Sequence, residues 1–319
     1  MQSPDVGADE SLDRSLAVRA ARAFFLDDRS KVEIARELDV SRFKVARLLE
    51  HARATGIVRI EIDDAGFVDE ERSAALRDRL GLERATVVAA HGDDDEVRHT
   101  VGRAAAALLS ETLTDGEMLG MGWGRTLSAT AQELGRLPEV SVVQLTGATE
   151  MTRHLSPVEI VRAMSLRAGG DVMPIFAPLL AEDAETAAAF RRQSAIAAAL
   201  ERFDRVTTAV MAVGSWAPPI SQLFDSIEPS LRAGLLERGV VAEIGVTLVD
   251  RDGAELAPDF SDRCIAISAA QIKAVPRVIG VATGAAKVVA LSALSAGGWL
   301  TEAVVDEALA DAVLQRGGG

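Results

Sequence analysis

The most suggestive stretch of this sequence for ligand chemistry is the glycine-rich run Gly120-Met121-Gly122-Trp123-Gly124-Arg125-Thr126. It lies between a strand-like apolar segment, 117–121, and a helical one, 126–134. A turn of that kind offers bare backbone N–H groups at the positive end of a helix, beside a guanidinium and a hydroxyl, and such a set can cradle a phosphate. Glycines in strand-to-helix turns also serve purely conformational ends, so the run admits both readings. Three further places follow apolar segments: Thr146-Gly147, Gly214-Ser215-Trp216, and 282–287 (ATGAAK), which ends in Lys287, one of four lysines in the chain. An ammonium at that point can neutralise a phosphate. Glu243 can accept hydrogen bonds from sugar hydroxyls, although a carboxylate beside a strand is commonly a structural partner. Glu243 or Asp306 can be drawn as a general base, but no paired acid and base stands at one rim, and no catalytic residue is assigned. The single cysteine, Cys264, excludes an internal disulfide and a thiolate zinc site, and reads as a small buried apolar residue. No metal or cofactor is implied.

A second group of residues is cationic. The chain as a whole carries a net charge of −14, yet residues 12–62 hold eleven Lys or Arg against eight Asp or Glu. Binding to nucleic acid phosphates depends on a local positive field, so only this segment can face DNA. Within it Arg42, Lys44 and Arg47 crowd behind Ser41, together with Phe43. Ser41 is a good helix N-cap because its hydroxyl can accept a free N–H of the first turn.

The elements that must position these residues follow from the periodicity. Leu16, Ala20, Ala23, Phe24 and Leu26 recur at helical spacing, which predicts an amphipathic helix over 12–27. A short helix follows over 31–38, then a tight turn at Asp39-Val40-Ser41, then a third helix over 42–54 with Val45, Leu48, Leu49 and Ala52 on one face. Two helices joined by so short a turn, the second capped and basic at its start, form a helix-turn-helix that sets a recognition helix in the major groove. Residues 57–62 alternate like a strand and suit the wing of a winged helix-turn-helix. The competing reading is a small helical subdomain with solvated charges.

Behind a polar break at 63–66 a charged helix, 67–80, leads into a different pattern. Strand-like segments at 85–91, 117–121, 140–145, 205–213, 263–268, 277–282 and 303–306 take turns with helices at 96–113, 126–134 and 285–295. Strands that alternate with helices argue for an open, mostly parallel α/β sheet covered on both faces. In such sheets ligands sit beyond the carboxyl ends of the strands, where all four candidate turns fall. The domain organisation is therefore a DNA-binding domain at 1–62 and an effector-binding and oligomerisation domain at 63–319, with a linker helix at 63–81. At 319 residues the chain has room for two domains. It has no apolar run of membrane-spanning length, and its first residues lack the pattern of a signal peptide, so a cytoplasmic protein is expected.

Several runs together resemble the SorC family of sugar-responsive bacterial transcription regulators: 34–62, 120–129 (GMGWGRTLSA), 174–180 (PIFAPLL), 239–253 and 275–314. The resemblance spans nearly the whole chain in order. It implies an effector domain with the fold of ribose-5-phosphate isomerase and glucosamine-6-phosphate deaminase. It also implies a sugar, polyol or sugar-phosphate effector, and homotetramers, dimers of dimers, that bridge operator half-sites. Gly122, Trp123, Gly124, Arg125 and Thr126, with Thr146, Gly147, Gly214, Glu243 and Lys287, are the expected effector contacts; Ser41, Arg42, Phe43, Lys44 and Arg47 are the expected DNA contacts. Two departures stand out. The loop after Gly214 (Ser215-Trp216-Ala217-Pro218-Pro219) lacks the second basic residue common in phosphosugar binders, which brings an unphosphorylated sugar or polyol into competition. The second helix carries Lys31-Val32 in place of a common glutamine. An isomerase that retained catalysis, and a protein whose N-terminal helices only dimerise, are the alternatives.

Overall fold

Helix starts in the N-terminal part are set by short side chains that take up free N–H groups. The computed structural model describes residues 6–58, 66–149 and 157–316, and its two compact units are Met1–Asp63 and Asp64–Gly319. The first unit holds α1 (Val6–Phe25), α2 (Lys31–Glu37) and α3 (Arg42–Ala54). Ser30 accepts the N–H of Glu33, whose carboxylate in turn accepts the N–H of Ser30 at 2.9 Å, a reciprocal cap on α2. Ser41 caps α3 by accepting the N–H of Lys44 at 3.1 Å. Between them Asp39 adopts a φ of 53°, which lets the turn close in so few residues. Ala17, Ala20 and Ala21 of α1 pack against Ile34, Val45, Leu48 and Ala52. The expected wing falls mainly on 59–62, outside the described residues; Ile57 and Val58 form a bend rather than a strand, with the Val58 N–H donating to Ala52 O.

The second unit is built on ten strands: β1 (Arg84–Val88), β2 (Met118–Met121), β3 (Ser141–Gln144), β4 (Val172–Met173), β5 (Thr208–Ser215), β6 (Ala242–Ile244), β7 (Thr247–Val249), β8 (Glu255–Leu256), β9 (Arg277–Ala282) and β10 (Glu302–Asp306). Seven of them form one parallel sheet in the order β1-β10-β9-β5-β2-β3-β4. Its strands are apolar on both sides because both faces are covered. Ala209, Met211 and Val213 of β5 enter one core, while Val210 enters the other. The helices Val288–Ala296 and Glu307–Gln315 close the first face, and α5 (Asp94–Thr112) and α6 (Arg125–Glu133) close the second. The charged segment before β1 forms α4 (Glu70–Leu80), capped by Asp69. Among the described residues no helix is long and apolar enough to cross a membrane.

Two features depart from the sequence reading. The strand expected at 263–268 is not part of the sheet: Cys264 and Ala266 make isolated antiparallel bridges to Leu180 and Thr146. The run is apolar because it is buried as an irregular cover, and periodicity cannot separate that from a strand. Burial pushes the Cys264 thiol up to about 12, so it is inert as a nucleophile at neutral pH. The second departure is an antiparallel arm, β6-β7-β8, that pairs with the carboxyl end of β5. It packs a third core of Trp123, Trp216, Leu223, Leu248 and Phe260 beyond the sheet.

Candidate functional site

A cavity of about 600 Å³ opens at the carboxyl ends of the strands, a size suited to a small polar ligand. Its wall draws on the segments that follow β1, β2, β9 and β10, on the end of β5, and on β6 of the arm. Because the central strand β5 pairs with β2 on one side and β9 on the other, their turns converge over its end. Gly122, Trp123, Gly124, Arg125 and Thr126 contribute the turn before α6. Gly124 occupies a φ of 134°, a conformation closed to residues with a Cβ, and its position would in any case place a Cβ 3.0 Å from that of Ala212. No side chain caps α6, and the positive end of the helix dipole there favours an anion.

The loop after β9 carries Lys287 into the same space. The helix expected from 285 begins later: Gly284, at φ 90°, opens a 3₁₀ turn, Ala285–Lys287, before the helix Val288–Ala296. The Asp306 carboxylate at the end of β10 accepts the Gly284 N–H at 2.8 Å, which ties this loop to the neighbouring strand. The Lys287 ammonium donates to the carbonyl of Val213 at 2.7 Å. Burial, together with the nearby Arg125 guanidinium, brings that ammonium down to about 8. Arg98 of α5 also lines the cavity and repels Lys287, while its guanidinium reaches Asp95 at 2.8 Å. Three cations thus converge on a cavity that also holds buried Asp306 and Glu243.

Glu243 lies at the floor, on β6. Its two carboxylate oxygens accept hydrogen bonds from the indole N–H of Trp216 and the hydroxyl of Ser221. With both oxygens engaged and only 6% of the residue exposed, burial pushes the carboxyl up to about 7. The space it fills exists because residue 214 is glycine: a Cβ there would stand 2.3 Å from Glu243 Oε1. Gly214, Glu243 and Lys287 accordingly meet at one corner, with Trp216 and Ser221 behind the carboxylate.

Thr146 and Gly147 do not line the cavity. Thr146 is fully buried and bridges to Ala266; the Gly147 N–H donates to Ile265 O at 2.7 Å, and a Cβ at 147 would meet the Pro178 carbonyl oxygen at 2.5 Å. They follow β3, as the sequence suggests, but that strand lies away from β5 and β9, and the irregular cover at 263–268 seals its end. Arg98 and Asp306 are lining residues that the sequence reading leaves out as ligand contacts. Arg98 sits in the second turn of α5 with no glycine or strand end to mark it; Asp306 carried a usable signal, a carboxylate at the end of an apolar strand.

In the N-terminal unit, α3 turns two chemically different faces. Val45, Leu48, Leu49 and Ala52 are buried, whereas Ser41, Arg42, Phe43 and Arg47 are exposed and Lys44 is half-buried.

The family model described as "Putative sugar-binding domain" matches residues 67–315. The deoxyribonucleoside regulator of Bacillus subtilis is 26% identical over 307 residues, 94% of this chain and 97% of that protein. The erythritol catabolism regulatory protein EryD of Brucella abortus is 26% identical over 324 residues, 96% and 98%. Among solved structures, the full-length sorbitol operon regulator SorC of Klebsiella pneumoniae superposes with a TM-score of 0.71 at 22% identity, covering 95% of this chain and 99% of that one, which is a likeness of fold. With the family model spanning the whole of the sheet and its cavity, the chain belongs to the sugar-binding-domain family that the model describes.

Proposed function

We propose that this chain is a sequence-specific DNA-binding transcription regulator whose hold on its operator is modulated by a sugar, polyol or sugar phosphate. The observation that carries the effector half is the convergence of Arg98, Arg125 and Lys287 on one cavity beside an uncapped helix start. Like charges that repel one another in a half-enclosed space are stabilised by a bound anion, so a phosphorylated ligand fits best, its phosphate beside residues 122–126 and Lys287. The cations that the loop after Gly214 lacks come instead from α5 and α6. Glu243 then acts through Trp216 and Ser221 as a support of the cavity floor, while Asp306 is the carboxylate nearest the loop that carries Lys287.

Residues 1–62 form the winged helix-turn-helix, with Ser41, Arg42, Phe43, Lys44 and Arg47 nearest DNA. Residues 63–319 form the effector and oligomerisation domain, of the ribose-5-phosphate isomerase and glucosamine-6-phosphate deaminase type. The working unit is a homotetramer, a dimer of dimers, in the cytoplasm. Catalysis has no support: the relatives named above are regulators, and the carboxylate best placed as a base has both oxygens engaged.

A thermal-shift panel of sugars, polyols and their phosphates tests the effector half, since a ligand that binds only the folded state raises its stability. A phosphorylated sugar should raise Tm in the wild type and not in Lys287→Ala; a variant that responded fully would remove the phosphate role of that lysine. For the DNA half, replacing Arg42, Lys44 and Arg47 by Ala should abolish operator binding, and each single change should reduce the salt slope by about one for every phosphate that the side chain had neutralised. Unchanged promoter binding in the triple variant would overturn the assignment of α3.

A further inference from the structure

One side chain on α3 has no role in either the core or the contact with phosphates. Phe43 is 83% exposed, although it sits one residue into a helix whose other large apolar side chains are buried. Leaving a benzyl group in water forgoes the stabilisation that its burial would give.

Its angular position is specific. At roughly 100° per residue, Val45 and the buried stripe through Leu49 and Ala52 lie about 200° round the helix from Phe43. Phe43 therefore points directly away from the core. Arg47, one turn later, shares that outward stripe, and Arg42 and Lys44 flank it. The ring thus stands in the middle of the basic surface at the amino-terminal end of the helix, the part of a recognition helix that approaches base edges. Phosphates cannot be its partner. In the major groove the apolar group on offer is the C5 methyl of thymine, and a phenyl ring is among the side chains that read it.

We infer that Phe43 is a specificity-determining residue that reads the C5 methyl of a thymine in each operator half-site. This rests on the DNA-reading function proposed above and extends it to a named group on a named base. The basic neighbours bring the ring to DNA by attraction that is indifferent to sequence, whereas the ring adds a preference that salt hardly changes.

The test begins with selection of duplexes from a random-sequence pool by the full-length protein, with and without a mixture of sugar, polyol and sugar phosphates, and by Phe43→Ala. The wild type should enrich a motif with a thymine at a fixed place in each half-site, and Phe43→Ala should lose that preference while keeping the rest. Uracil is then substituted for that thymine, removing only the methyl. Wild-type affinity should fall by about fourfold per half-site, the effect of one buried methyl-sized group, and Phe43→Ala should bind both duplexes equally. Wild-type indifference to uracil at every thymine, or equal sensitivity in Phe43→Ala, overturns the inference alone. A change of oligomeric state in Phe43→Ala with its base preferences intact also overturns it, since the ring would then pack on a second copy. If the wild type enriches no motif under either condition, the DNA-reading function itself fails and the inference falls with it. Phe43 is 83% exposed and not part of the N-terminal core, so the variant should melt at the wild-type temperature.

Discussion

At the scale of single residues, the cavity couples two buried ionisable groups whose protonation can be followed. Glu243 has its carboxyl raised from 4.5 to about 7 by burial. Between those values the folded state holds more protons than the unfolded one, so this residue's contribution to stability is fully present below pH 4.5 and is lost as pH rises through 7. Denaturant unfolding of the wild type and Glu243→Gln over that window should show the wild type losing up to about 3 kcal/mol relative to the variant. Parallel curves would mean that the Trp216 and Ser221 hydrogen bonds hold the carboxylate charged throughout. Lys287 shifts the other way, down to about 8, and its charged form is the one that attracts an anion. Affinity for a phosphorylated effector should therefore weaken as pH rises through about 8, and titration calorimetry on Lys287→Met should show a weaker, flatter profile.

At the scale of elements, the two ends of the sheet have different duties. The carboxyl end is open and carries the cavity; the amino end is pinned. Arg277 at the start of β9 donates to both oxygens of Glu302 at the start of β10, at 2.7 and 3.0 Å, and to the Thr112 hydroxyl at the end of α5. The pair is mostly buried, with side chains 18% and 10% exposed. Glu302→Ala leaves an uncompensated guanidinium among β9, β10 and α5, and should cost about 3 kcal/mol in denaturant unfolding. Effector affinity measured below the unfolding transition should be unchanged, because the pair stands a strand's length from the cavity; a matching loss of affinity would show that the pair also shapes the site. The sheet order itself decided which candidate turns came together. Thr146-Gly147 and Gly214-Ser215-Trp216 look alike in sequence, each a small-residue turn behind an apolar run, yet only Gly214 sits on the central strand.

At the scale of the whole molecule, an acidic chain with exposed cations gathered on α3 should bind DNA through a few local contacts, so its affinity should fall with salt in proportion to those few cations. If an effector changes operator affinity by some factor, the operator must change effector affinity by the same factor, since both report one coupling free energy. Fluorescence titrations of each ligand in the presence and absence of the other should give equal factors, of about 5- to 150-fold for a coupling in the usual range. Unequal factors would require a third species, such as a change in oligomeric state, in the cycle.

From sequence alone came the three N-terminal helices, the cap at Ser41, the clustering of cations on α3 and the alternation that makes a parallel sheet. These depend on neighbours within a few residues, where periodicity, capping and local charge act. Most of the cavity's glycine-rich wall and Lys287 were also legible, because strand ends are marked by glycine and by polar residues after apolar runs. Only the tertiary structure decided that Arg98 joins them from the second turn of α5, that Thr146 and Gly147 stay outside, that 263–268 covers the sheet instead of entering it, and that Glu243 is held by Trp216 and Ser221. Those outcomes depend on which strands lie side by side, and strand order is set by packing among residues far apart in the chain.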